Sequence, residues 1–148
     1  MKTTKEEIFW LIDPLDGTKE FIQKSYEFTI NIALIKDEKP IFGAIYIPIK
    51  KTFIVGGKDF KAFSEKNGEK RDLKTFFSKE TCRITISKQH QNDEEKRFIG
   101  FFKNKFKKVE LFHAGRALKI CIVASGDLHI YTVFGAGVKW DMAVGHAI

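Results

Sequence analysis

Cysteine is almost missing from this 148-residue chain: Cys82 and Cys121 are the only two. Neither sits in a CxxC pair, and so low a count does not suggest a disulfide scaffold. A reducing cytoplasm is the default compartment that follows. No apolar run approaches the roughly 20 residues of a membrane-crossing helix, so no transmembrane segment is expected. The opening stretch, Met1 to Glu7, is polar and charged, and a secretory signal peptide is not expected there. Internal repeats and low-complexity tracts are absent as well.

What is present is the composition of one ordinary domain with a real core: 43% hydrophobic residues, with phenylalanine unusually common at 15. The formal charge is +7, which suits a nucleic acid, an anionic membrane or a small polyanionic substrate. The densest basic stretch is Lys103-Asn104-Lys105-Phe106-Lys107-Lys108. No base-reading motif accompanies it, so it reads as a solvated helix end and no specific nucleic-acid partner is expected.

The pattern along the chain predicts a strand over Glu7–Ile12 ending at Asp-Pro, then a short helix opening at Thr18. A hairpin follows, with strands over Phe28–Ile35 and Ile41–Ile47, and further strands over Lys51–Val55 and Phe60–Ser64 before an Asn67-Gly68 turn. Glu69 to Glu80 is charged, shows no strand pattern, and marks a boundary between a strand-rich half (1–72) and an α/β half (73–148) of one compact fold. The second half reads as strand Arg83–Ser87, helix Asn92–Phe106 capped by Asn92 or Asp93, strand Val109–Phe112, helix Gly115–Ser125, strand Asp127–Val133 and a helix from Trp140. That is a mixed α/β architecture. The chain starts almost directly on a core strand and stops inside a helical pattern, so both ends read as cut.

The chemistry concentrates in Asp13-Pro14-Leu15-Asp16-Gly17-Thr18. Two carboxylates three residues apart at the end of a buried strand are costly unless a cation neutralises them. Hard cations such as Mg²⁺ take oxygen ligands, and the turn restrained by Pro14 can aim the Leu15 carbonyl at the same ion. Gly17 lets backbone approach an anion closely, and Gly17 and Thr18 open a helix, where free N–H groups favour phosphate. The plain alternative is an Asp-Pro turn followed by a capped helix. Against it stands Trp140-Asp141, a further acid at a late helix start, because two-metal phosphoryl chemistry draws carboxylates from separate segments.

Trp10 through Phe21, containing this hexapeptide, resembles the signature of the inositol monophosphatase superfamily. Trp140-Asp141-Met142-Ala143-Val144-Gly145-His146-Ala147 resembles its second signature. Lys19-Glu20-Phe21, the run Phe28 to Ile35, Gly43 to Pro48 and the closing Gly145-His146-Ala147 are similar to the bacterial 3'(2'),5'-bisphosphate nucleotidases of the CysQ type. The resemblance implies a layered α-β-α-β-α sandwich of the inositol monophosphatase and sugar phosphatase type, incomplete at the N- and C-termini. It implies a Mg²⁺-dependent phosphomonoesterase releasing the 3'-phosphate of adenosine 3',5'-bisphosphate by attack of a metal-activated water, with two or three ions per site. Asp13 would bridge two ions, the Leu15 carbonyl would join it on the first, and Asp16 and Asp141 would hold the second. Gly17 and Thr18 would bind the substrate phosphate, and the Thr18 hydroxyl would help orient the water. Asp141, His90, Arg116 and Lys119 would face the small phosphorylated nucleotide. His90 also reads as a surface-loop histidine, and Lys119 as an exposed helix lysine. A homodimer is left open.

The chain departs from the family in three places. A metal-binding Glu usual upstream of the first signature has no counterpart, since Glu6 and Glu7 lie too close along the strand. The helix that usually begins Gly-Ser-Ser reads Gly115-Arg116-Ala117. An Arg usual before Phe-Gly is Val133, ahead of Phe134-Gly135. Segments usual after the second signature are missing too, and removing helices from both sides of a sheet would expose apolar faces. The alternatives are therefore a truncated, inactive remnant of such a phosphatase, an inositol monophosphatase, and a basic nucleic-acid-binding module.

Overall fold

The computed structural model describes residues 7–76, 78–86, 93–113, 116–133 and 139–148, with the side chains of 116, 117 and 139–141 outside that description. Strand β1 (Ile8–Asp16) leads through a short helix α1 (Thr18–Ile22) into β2 (Thr29–Lys36) and β3 (Lys39–Ile47). After a 3-10 turn at Pro48–Lys50 come β4 (Thr52–Gly57), β5 (Phe60–Lys66) and β6 (Glu69–Asp72). These six strands form one antiparallel sheet in chain order. Its tight turns at Asp37-Glu38 and Asn67-Gly68 have positive φ at both central residues, the backbone twist that matches paired strands.

The chain then changes rule. Strand β7 (Thr81–Ile86), helix α2 (Asp93–Lys103), β8 (Lys108–His113), helix α3 (Arg116–Ala124) and β9 (Ile130–Tyr131) build a parallel sheet of order β8-β7-β9, and helix α4 (Lys139–Ala147) closes the chain. Parallel neighbours need crossovers, and α2 and α3 supply them.

Two cores hold these elements. Ala33, Ile35, Ile45, Ile47 and Ile54 line one face of the large sheet and meet Leu118, Ile120 and Cys121 of α3 and Val144 of α4, with Tyr131 of the small sheet against the same cluster. Cys82, Ile84 and Ile86 of β7 pack with Ile99, and Phe98, Phe102 and Phe106 cover them. Phe98, Phe102 and Phe106 recur at helical spacing, with ring centroids 4.8 Å and 6.0 Å apart along the series. The elements thus stack as large sheet, α3 and α4, small sheet, α2.

Helix α4 approaches the large sheet closely because small residues align across it. Ala33 pairs with Gly43, and Gly43 with Gly56, so three adjacent strands present almost no side chain along one row. A Cβ at Gly43 would fall 2.5 Å from the Val144 carbonyl oxygen, and one at Gly56 would fall 2.5 Å from Ile148 Cα. Val144 therefore sits over β3 and Ile148 over β4. The helix runs back from there toward β1, which it also touches, and its first turn falls on the β1–β2 side.

The opposite face of the large sheet carries no helical layer among the described residues, and the expectation was of an α-β-α-β-α sandwich incomplete at its N- and C-termini. Trp10, Phe42, Phe60 and Phe63 form a ring ladder on this face, with centroids 6.0, 6.2 and 6.4 Å apart, and Tyr46 stacks on Phe53 at 4.4 Å. Trp10 is 56% exposed and Ile12 58%. No helix among the described residues is long and apolar enough to cross a membrane.

Four expectations change at this level. Glu69–Asp72 is a strand, β6, because the Asn67-Gly68 turn folds it back on β5; its residues are charged and exposed, which suits an edge and hides any alternation. Strand β1 continues through Asp-Pro to Asp16 instead of stopping at Ile12. Helix α2 ends at Lys103, where the Lys105 and Phe106 amides both turn to the Phe102 carbonyl; the proposed cap Asn92 lies outside the described residues. The strand expected over Asp127–Val133 shrinks to Ile130–Tyr131. Its first residues are taken by other bonds: Leu128 N–H to the Ile122 carbonyl, His129 N–H to the Arg83 carbonyl, and Arg83 N–H to His129 Nδ1.

Replacing Gly43 with valine would force α4 off the sheet. We expect a loss of about 2 kcal/mol from overpacking, read as a melting temperature roughly 4–8 °C lower for a domain of this size. The open aromatic face should bind a hydrophobic dye such as ANS and give concentration-dependent sedimentation. Trp10→Lys combined with Phe53→Lys should reduce both signals without changing the far-UV circular dichroism.

Candidate active site

The acids of the first signature lie at the end of β1, and an irregularity in that strand brings them together. Residues three apart in a regular strand point to opposite faces. Here Asp13 pairs with Asn31 while Asp16 pairs with Thr29, so β1 holds one residue more than β2 across the interval. This bulge falls at Pro14-Leu15, where a residue with no N–H to donate is tolerated. It returns Asp16 to the face of Asp13. That is the face beneath α3 and α4: Thr29 and Asn31 are 1% exposed and Asp16 6%, with Asp13 half-buried.

The backbone around the acids is tied locally. The Leu15 N–H donates to Asp13 Oδ1 at 3.0 Å, and the Thr18 hydroxyl donates to the Leu15 carbonyl at 3.3 Å. Gly17 begins α1 at φ 87°, a left-handed conformation, and a Cβ there would lie 2.8 Å from the Glu27 carbonyl oxygen. Glycine is required on both counts. The Phe21 N–H bonds the Gly17 carbonyl at 2.9 Å and closes the first helical turn.

Helices α3 and α4, which carry Arg116, Lys119 and Asp141, both pack on β2. Asp141 stands in the first turn of α4 and Arg116 opens α3; their side chains lie outside the described residues, as does His90 altogether. Lys119 is 6% exposed, with its ammonium 5.7 Å from the Tyr131 ring centroid, so it is not the exposed helix lysine of the alternative reading. Cys121, two residues further on α3, reports the local field. Burial pushes its thiol up to about 12, the Lys50 cation opposes that shift, and the Asp16 carboxylate adds to it. Asp16 and Lys50 are therefore both within electrostatic reach of α3. His129 accepts from the Arg83 backbone, while His113 and His146 are exposed.

Sequence reasoning passed over Thr29, Asn31 and Lys50. The signal for the first two was a polar residue at every second position, Thr29 and Asn31, opening a run that continues Ala33, Ile35. The Thr29 hydroxyl donates to Asn31 Oδ1 at 3.0 Å, which aims the Asn31 amide group away from Thr29.

Among the described residues, no three His, Cys, Asp or Glu side chains converge to hold a metal. The donors at the corner still fit a hard divalent cation. Two carboxylates share one face with the Leu15 carbonyl between them in sequence, and the helix bearing Asp141 lies across the same strands. Glu7 lies six residues before Asp13, about 20 Å away along an extended strand, and does not join them.

The inositol monophosphatase family model matches residues 1–148. The 3'(2'),5'-bisphosphate nucleotidase CysQ of Salmonella typhimurium is 37% identical over 140 residues, covering 95% of this chain and 54% of the relative. The protein of that name from Buchnera aphidicola is 39% identical, covering 95% and 51%. Among solved structures, CysQ from Bacteroides thetaiotaomicron, a bacterial member of the inositol monophosphatase family, superimposes with a TM-score of 0.83 at 34% identity, covering 95% of this chain and 57% of that one. Mycobacterium tuberculosis SuhB shares the fold, with a TM-score of 0.78 at 22% identity. The chain spans about half the length of the curated relatives it matches. With the family model matching from end to end, this chain belongs to the inositol monophosphatase family.

Proposed function

We propose that this chain carries the site of a Mg²⁺-dependent phosphomonoesterase acting on the 3'-phosphate of adenosine 3',5'-bisphosphate. The observation that carries the reading is the bulge at Pro14-Leu15, which sets Asp13 and Asp16 on one face under the helix bearing Asp141. Relatives more than 35% identical that bear the name 3'(2'),5'-bisphosphate nucleotidase favour a nucleotide over an inositol phosphate. The buried Lys119 cation on α3 suits a second phosphate.

Asp13, Asp16, Asp141 and the Leu15 carbonyl are the residues that would hold two or three Mg²⁺ ions. Such ions, when bound, neutralise the carboxylates and supply Lewis-acid activation of water. The chain's own groups do the rest. The Gly17 and Thr18 N–H groups bind the phosphate that is attacked. The Thr18 hydroxyl, which donates to the Leu15 carbonyl, has lone pairs left to orient a water for in-line attack. Lys119 and Arg116 meet the remaining anionic charge. The free, buried thiols of Cys82 and Cys121 suit a reducing cytoplasm, and the open face of the large sheet is compatible with a homodimer.

A second reading is a non-catalytic remnant. It is favoured by the position of Glu7, too far along β1 to act as a further ligand. The two separate in one assay: phosphate release from 3',5'- and 2',5'-bisphosphates and from inositol phosphate, with and without Mg²⁺. The phosphatase reading expects Mg²⁺-dependent release, greatest from the 3',5'-bisphosphate, falling at least 100-fold in Asp13→Asn. No release from the wild-type chain, with the fold intact by circular dichroism, would select the remnant.

A further inference from the structure

Beneath the site lies a buried polar group that the roles above leave unused. Asn31 is 1% exposed on β2, and its Nδ2 has no hydrogen-bond partner among the described residues. Its orientation is not arbitrary. The Thr29 hydroxyl donates to Asn31 Oδ1 at 3.0 Å, so the oxygen side of the amide faces Thr29 and the NH₂ side points the other way. The rest of this strand face is apolar, with Ala33 and Ile35 continuing the same alternation. An amide in such a place demands an acceptor.

Asp13 is the residue directly opposite. It is the cross-strand partner of Asn31 in the β1–β2 ladder, and directly opposed side chains on one face have Cβ atoms about 5 Å apart. One Asp13 oxygen, Oδ1, takes the Leu15 N–H at 3.0 Å. The other is the oxygen left to turn toward β2. A carboxylate has about four lone-pair sites, so accepting from an amide does not prevent it from serving as a ligand. Outer hydrogen bonds of this kind fix the direction of a ligating carboxylate.

We propose that Asn31 is a positioning residue of this site: its Nδ2, which makes no hydrogen bond among the described residues, donates to the second oxygen of Asp13 when that carboxylate turns to hold a cation, and fixes its plane there. The inference rests on the metal-site reading above. Thr29 is then the outermost member of a relay from hydroxyl to amide to carboxylate. Asn31 itself touches neither substrate nor the reacting atoms.

The test replaces both polar partners together, Thr29→Val with Asn31→Leu, so that neither is left alone in an apolar setting. Mg²⁺ affinity is measured by isothermal titration calorimetry on the 148-residue chain, beside its melting temperature without added metal. The expected result is Mg²⁺ binding weakened about 10-fold or more, in line with outer-shell substitutions elsewhere, with the melting temperature unchanged or raised. Thr29→Val alone, which keeps the amide donor, should lose less, and Asn31→His, which keeps an N–H in a similar place, should recover part of the affinity. A double variant that binds Mg²⁺ as the wild type does, or that loses stability while affinity holds, overturns the inference and leaves the metal-site reading standing. A wild-type chain that binds no Mg²⁺ overturns both.

Discussion

Helix α4 lies in a channel that exists only because Ala33, Gly43 and Gly56 come into register across β2, β3 and β4. Its backbone approaches the sheet so closely that a single methyl at either glycine would collide with the Val144 carbonyl or with Ile148. The rest of the site depends on this fit. The first turn of α4 carries the second signature, and the strands beneath it carry the first, more than 120 residues earlier. Raising the helix by one side-chain diameter would lift the second motif off the strands that carry the first.

The backbone demands of the first signature were legible because they are local. Two acids, a proline and a glycine within six residues report their backbone needs directly, and Gly17 does take the left-handed conformation its position demands. The bulge was not legible. Simple alternation puts Asp13 and Asp16 on opposite faces, and only pairing with Asn31 and Thr29 shows that they share one. The choice of buried face was equally hidden. Strand β2 reads Thr-Ile-Asn-Ile-Ala-Leu-Ile, apolar on both sides, and which side meets α4 is decided by glycines on two other strands. Strand β6 escaped notice for the opposite reason: an exposed, charged edge has no apolar pattern to read.

The abundance of phenylalanine also divides by place. Phe98 and Phe102 of α2, with Phe106 just beyond its end, pack on the small-sheet core of Cys82, Ile84 and Ile86. Phe42, Phe53, Phe60 and Phe63 stand instead on the open side of the large sheet, where their ring partners are one another, Trp10 and Tyr46. A single composition thus serves one completed layer contact and one face that no described helix covers.

The two cysteines happen to fall one in each core. Cys121 lies between α3 and the large sheet, beside the acids, and Cys82 lies under α2 in the small sheet. Burial pushes the first thiol up to about 12 and raises the second as well, so neither offers much thiolate at neutral pH. Each can react only after its own layer has parted. The order in which a thiol reagent marks them would therefore record which interlayer seam breathes first, and on what timescale, without any ligand present. The native chain thus holds two internal reporters of its own opening, one of them beneath the candidate active site.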